Sequence, residues 1–82
     1  MPEITRFYGI TVKMFFNDHN PPHIHAIYGE YMGAFRVDTL EMTEGDLPIK
    51  AQRLVREWTL KNKRDLIDMW QLKKIKPLKP LK

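Results

Sequence analysis

His19, His23 and His25 fall within seven residues, and Asp18 stands beside them. They are all the histidines of the chain. In a β-strand, His23 and His25 point to the same face with Cα atoms about 6.5–7 Å apart. Two imidazoles at that spacing can share a divalent metal. His19 or Asp18, folded back by Pro21-Pro22, would then be the third ligand. The same pair can instead move protons near neutral pH, as a hydrolase acting on phosphodiesters would require. A third reading makes the histidines half-exposed strand residues, with Asp18 ordering the turn and Ile24 packing inward. These three readings stay open on residue type and spacing. No cofactor follows from them, and a divalent metal is the one group they could hold.

Two known motifs are only partly matched. His23-x-His25 followed by Glu30 imitates the first cupin motif, but a cupin barrel needs a longer chain and a second histidine motif. Histidine-triad hydrolases need a third alternating histidine, and Ile27 stands there.

Basic residues form two further groups. Lys50, Arg53, Arg56, Lys61, Lys63 and Arg64 would cover one helical face, a candidate contact for phosphates or an acidic partner. Lys73, Lys74, Lys76, Lys79 and Lys82 fill the last ten residues with no acid among them. Pro77 and Pro80 have the spacing of a polyproline ligand. A solvated helix face and a solubilising tail are the plainer readings. Helix-turn-helix recognition is disfavoured, because the two helices have almost no connection and a third is missing.

The elements that must position these groups follow from periodicity. Residues 3–8 suit a strand, Gly9 a turn, and 10–16 a second strand with Ile10, Val12, Met14 and Phe16 on one face. Asn17 to Pro22 is a loop, since Asn and Asp favour turns and proline fixes φ. Strands are expected at 23–28 and 31–38, joined at Gly29-Glu30, with a short extended piece near Leu40–Met42. The period then becomes helical. Leu47, Ala51, Leu54, Val55 and Trp58 share a stripe, with Pro48 at the first helical position and Asp46 beside it. Asn62 would interrupt the apolar stripe, so it is expected to end one helix and cap a second over 63–73, with Asp65 completing a weak capping box. Runs of strands followed by helices indicate an α+β fold. We expect an antiparallel sheet of three to four strands, in ββββαα order, covered on one face by two C-terminal helices. The expected core is Ile4, Val12, Met14, Phe16, Ile24, Ala26, Phe35, Val37, Leu54, Val55, Trp58, Leu66 and Trp70.

Composition bounds the function. Eighty-two residues allow one domain, expected over 1–72, with 73–82 as a disordered Lys/Pro tail. No cysteine means no disulfide framework, thiol nucleophile or cysteine-based metal site, and is consistent with a reducing cytoplasm. No apolar run approaches the roughly 18 residues of a membrane span, and no signal peptide is legible. The formal net charge is +4, but it is unevenly spread. Residues 1–46 hold three basic groups against seven acidic, and residues 47–82 hold eleven against three. The positive balance belongs mainly to the tail, which argues against a preformed nucleic-acid groove.

The runs Met-Pro-x-Ile-x-Arg-Phe, Phe-Phe-Asn-Asp-His-x-Pro-Pro-His-Ile-His, Gly-Asp-Leu-Pro, Leu-Val-x-x-Trp and Leu-x-x-x-Trp occur in this order. Together they resemble the small prokaryotic family called domain of unknown function 4160, over about residues 1–72. The most specific part is Asp18-His19-x-Pro21-Pro22-His23-x-His25. The resemblance implies a neighbouring gene for a small protein of the domain of unknown function 2442 family. That arrangement is similar to a toxin–antitoxin cassette, with this chain as the toxin-like half. It supplies no established catalytic residues. The expectation is therefore a cytoplasmic protein-interaction module. The alternatives are a histidine-based or metal-assisted, ribonuclease-like hydrolase, and a polyanion-binding protein working through the basic face and tail.

Overall fold

The computed structural model describes residues 3–15 and 21–81. Five strands precede two helices: β1 (Glu3–Phe7), β2 (Ile10–Lys13), β3 (His23–Tyr28), β4 (Tyr31–Arg36), β5 (Met42–Gly45), α1 (Ile49–Lys61) and α2 (Lys63–Leu72). The strands form an antiparallel meander in chain order. The α+β class is as expected, but the strand count is five. The extra strand, Met42-Thr43-Glu44-Gly45, has no apolar alternation and buries no residue, so periodicity could not reveal it.

Alternation positions the rest of the sheet. Ile10, Val12 and Met14 are buried, whereas Thr11, Lys13 and Phe15 are half-buried. In β3, Ile24 and Ala26 are buried while His23, His25 and Ile27 lie half-exposed on the opposite face. The first hairpin turns on Tyr8-Gly9 alone, with φ of +50° and +80°. A two-residue turn of this twist needs both residues in the left-handed region, which glycine adopts freely and tyrosine does not. Pairing of β1 with β2 skips Ile4, a bulge at the outer edge of the sheet.

The helices complete one core. Ala51, Val55 and Trp58 of α1 and Leu66, Met69 and Trp70 of α2 join Ile4, Val12, Ile24, Phe35 and Val37 in a single apolar cluster. Leu54, expected inside, is only partly buried, and Phe16 lies outside the described residues. Phe7, Ile10, Leu47, Ala51 and Met69 are further core members. Thr59 is buried because its hydroxyl donates to the Val55 carbonyl at 2.7 Å, one turn back. Among the described residues, no buried side-chain polar atom lacks a partner.

Asn62 does end α1, but by a different bond from the expected one. Its side-chain amide donates to the Trp58 carbonyl at 2.9 Å, closing the C-terminus of α1, and makes no side-chain cap for α2. An exposed C-terminal carbonyl is as much in need of a partner as an N-terminal amide. Pro48 is the N-cap of α1 and not its first helical residue.

The tail lies over the domain as far as Leu81. Leu81 is buried, and Ile75 and Leu78 pack against the core. Leu78 donates its backbone N–H to the Ile4 carbonyl at 3.2 Å, and the Trp58 indole donates to the Lys79 carbonyl at 2.8 Å. Apolar residues between the lysines bring this segment down, and composition averaged over the tail obscures them.

Candidate functional site

The histidine pair is built by the start of β3. Pro21 and Pro22 bring the chain into the strand, and the Pro22 carbonyl accepts from Val37 N–H at 3.0 Å beyond the end of β4. His23 Nδ1 lies 3.0 Å from the Pro21 carbonyl. A carbonyl only accepts, so Nδ1 carries the proton and the neutral ring has its lone pair on Nε2. The His23 and His25 ring centroids are 5.2 Å apart. Phe15 meets His25 edge-on at 5.1 Å, and Trp70 lies 5.2 Å from His23. Strand register sets Arg36 opposite His23, and Lys13 and Ala34 on either side of His25. Asp18 and His19 lie outside the described residues. Among the described residues, no group of three or more His, Cys, Asp or Glu could hold a metal ion. His23 and His25 offer two imidazoles in an aromatic setting with cationic neighbours, an arrangement able to relay protons.

Arg36 is already engaged. It holds the Asp38 carboxylate through Nε at 2.9 Å and Nη2 at 2.7 Å. Hydrogen bonding from this guanidinium lowers the Asp38 pKa to about 2.

The basic face is partly turned to structural use. Arg56 donates to the Leu40 carbonyl at 3.0 Å and sits 5.6 Å from the centre of the Phe35 ring. Lys63 donates to the Asp38 carbonyl at 2.8 Å. These two cations hold the connection between β4 and β5, where Leu40 takes a φ of +65°. Lys61 pairs with Glu57 at 3.6 Å, while Lys50, Arg53 and Arg64 are exposed. In the tail, Lys76 approaches Asp65 at 3.7 Å and Lys73 lies 5.5 Å from the Trp70 ring centre. The cationic residues are thus dispersed over several surfaces.

A second site was not legible in the sequence. A cavity of about 610 Å³ opens beside the hairpin tips, lined by Tyr8, Tyr28, Pro48, Leu54 and Leu81, with Lys50 and Glu57 among its charged residues. Tyr28 lies over Gly9, whose absent Cβ would fall 3.3 Å from the ring. Tyr31 is the register partner of Tyr28, and Met32 follows it. All four of Tyr8, Tyr28, Tyr31 and Met32 are exposed, Tyr8 by 59%. The signal available was the recurrence of tyrosine beside glycine turns, at Tyr8-Gly9 and Tyr28-Gly29. It became a site only when two hairpin tips met α1 and the tail.

No helix among the described residues is long and apolar enough to cross a membrane. Neither the curated proteins nor the solved structures contain a match to the chain. The family described as domain of unknown function (DUF4160) matches residues 9–71, which include β2 to β5, the histidine strand among them, α1 and nearly all of α2, and the chain belongs to that family.

Proposed function

We propose that this protein is a protein-interaction module, the toxin-like half of a two-gene pair, and that it binds a small protein of the domain of unknown function 2442 family. The observation that supports this is the exposed pair Tyr8 and Tyr28, which line an apolar cavity at one end of the sheet, with the exposed Tyr31 paired to Tyr28. Scattered exposed apolar residues are ordinary, but a contiguous group marks a contact surface. Tyrosine is enriched at interfaces, where large rings contribute area at little entropic cost. Adding the purified partner should raise the melting temperature in a concentration-dependent way. Tyr28→Ala should weaken binding at least tenfold and leave the melting temperature of the free protein nearly unchanged. A partner that leaves the melting curve unmoved at high excess would sink this reading.

The histidine pair favours a second reading, phosphodiester hydrolysis by proton transfer. Two rings 5.2 Å apart, with one tautomer set by the Pro21 carbonyl, can act as base and acid on one substrate. His23→Ala and His25→Ala should each then lower RNA cleavage by about a hundredfold or more with the fold intact. Cleavage that survives in both folded variants would end this reading.

A further inference from the structure

Residues 74–81 leave α2 at Lys73, whose φ of +58° turns the chain out of the helix, and then cross β1 and α1. Pro77 and Pro80 restrict this stretch to extended backbone. In polyproline geometry, residues three apart lie on one side, so Leu78 and Leu81 face the domain together. Both are drawn in: Leu78 packs on the core and Leu81 is buried. The polar contacts are also those of a bound peptide. The Ile4 carbonyl, left out of the strand pairing by the bulge, accepts from Leu78 N–H, and the Trp58 indole donates to the Lys79 carbonyl. Pre-extended, proline-containing segments are read in this way, by aromatic-lined grooves that supply few hydrogen bonds and take side chains at three-residue spacing.

We infer that the Ile4 carbonyl, the Trp58 indole and the hollows under Leu78 and Leu81 form a recognition groove for an extended, proline-containing segment of the partner. That segment carries leucine-sized residues three apart and a basic flank, and residues 75–81 are its intramolecular stand-in. This rests on the partner reading above and gives it a docking mode. Charge supports the basic flank: Asp65 holds Lys76 at one end of the groove. Continuity supports displacement. Leu81 is itself a wall of the 610 Å³ cavity, so a segment that replaces the tail reaches Tyr8 and Tyr28 as well. It needs that extra area, because a tethered tail competes at an effective concentration in the millimolar range.

The test uses the full chain and a synthetic peptide with the sequence of residues 75–82. In L78D/L81D the tail should leave the groove, and the Trp58 indole N–H signal should move while that of Trp70 stays. The peptide should then bind at one site, at least tenfold tighter than to the unaltered chain, and restore the Trp58 signal. A peptide carrying aspartate at both leucines should not bind. Should the double variant fail to fold, Leu81→Ser alone carries the same comparison. Folded variants that do not bind the peptide, or an unaltered chain that binds it equally well, would overturn the groove. A partner that raises the melting temperature but leaves the Trp58 signal in place overturns this docking mode and leaves the interaction reading standing.

Discussion

Trp58→Ala should unfold the protein or leave it at the edge of unfolding. The side chain is almost wholly buried and its ring lies 5.8 Å from that of Phe7, joining α1 to β1. Truncating a buried tryptophan costs about 3–5 kcal/mol. At roughly 0.05–0.15 kcal/mol per residue, a domain of this length has about 4–12 kcal/mol to lose. The loss here sits toward the high end, because the indole also carries the bond to Lys79. Without it, both the packing under the tail and a polar tether disappear. Trp58→Phe separates the two effects. It keeps an aromatic ring against Phe7 and removes the N–H, with an expected cost of about 1–2 kcal/mol. Urea unfolding of both variants checks this. An alanine variant that loses under about 1 kcal/mol would mean that the tail and α1 are not held through this side chain.

Gly45→Ala should be nearly as damaging, although Gly45 is exposed and lies on an edge strand. Its φ is +111°, a region that L side chains rarely adopt. An added Cβ would overlap the Met32 carbonyl oxygen and stand 2.6 Å from Gly33 Cα. Both are backbone atoms of the neighbouring strand, so no rotamer change relieves the clash. Either β5 separates from β4 or the strained residue forces both strands to shift. We expect a loss of about 3 kcal/mol, a fall in melting temperature of roughly 12–24 °C for a domain of this size. Gly33→Ala is the internal control. Its Cβ would meet the Leu47 and Met42 side chains at 3.0 Å, and those can move. Thermal melts should therefore rank Gly45→Ala well below Gly33→Ala. The reverse order would mean that the β4–β5 pairing is not held as described.

Local order was legible wherever one face of an element had to be apolar. The alternation of Ile10, Val12 and Met14, and the helical stripe through Ala51, Val55 and Trp58, each named the right period and the right inward residues. The polar strand β5 was illegible because it is held by backbone pairing to β4, which leaves no mark on side-chain hydropathy. Asn62 was recognised as a break, since a polar amide on an apolar stripe demands a partner. Which helix end it would serve depended on side-chain direction, which sequence spacing does not specify. At the histidine segment, alternation correctly put His23 and His25 on one face, but their aromatic neighbour Trp70 comes from a distant part of the chain. The tail and the tyrosine cavity were hidden for the same reason. Each needs contacts across more than twenty residues of chain, such as Trp58 with Lys79.

The bulge at Ile4 has a consequence for how the molecule can assemble. Sheet-to-sheet polymers grow only when every copy offers two pairing edges. Here Ile4 drops out of register and its carbonyl is taken by Leu78, so one side of the sheet is closed to a neighbour while the tail is seated. The open side is β5, the other end of the strand order. Two copies meeting through β5 would be related by a twofold axis and would use up both open edges at once. Growth along the sheet thus stops at a pair, and a filament has no second end from which to extend.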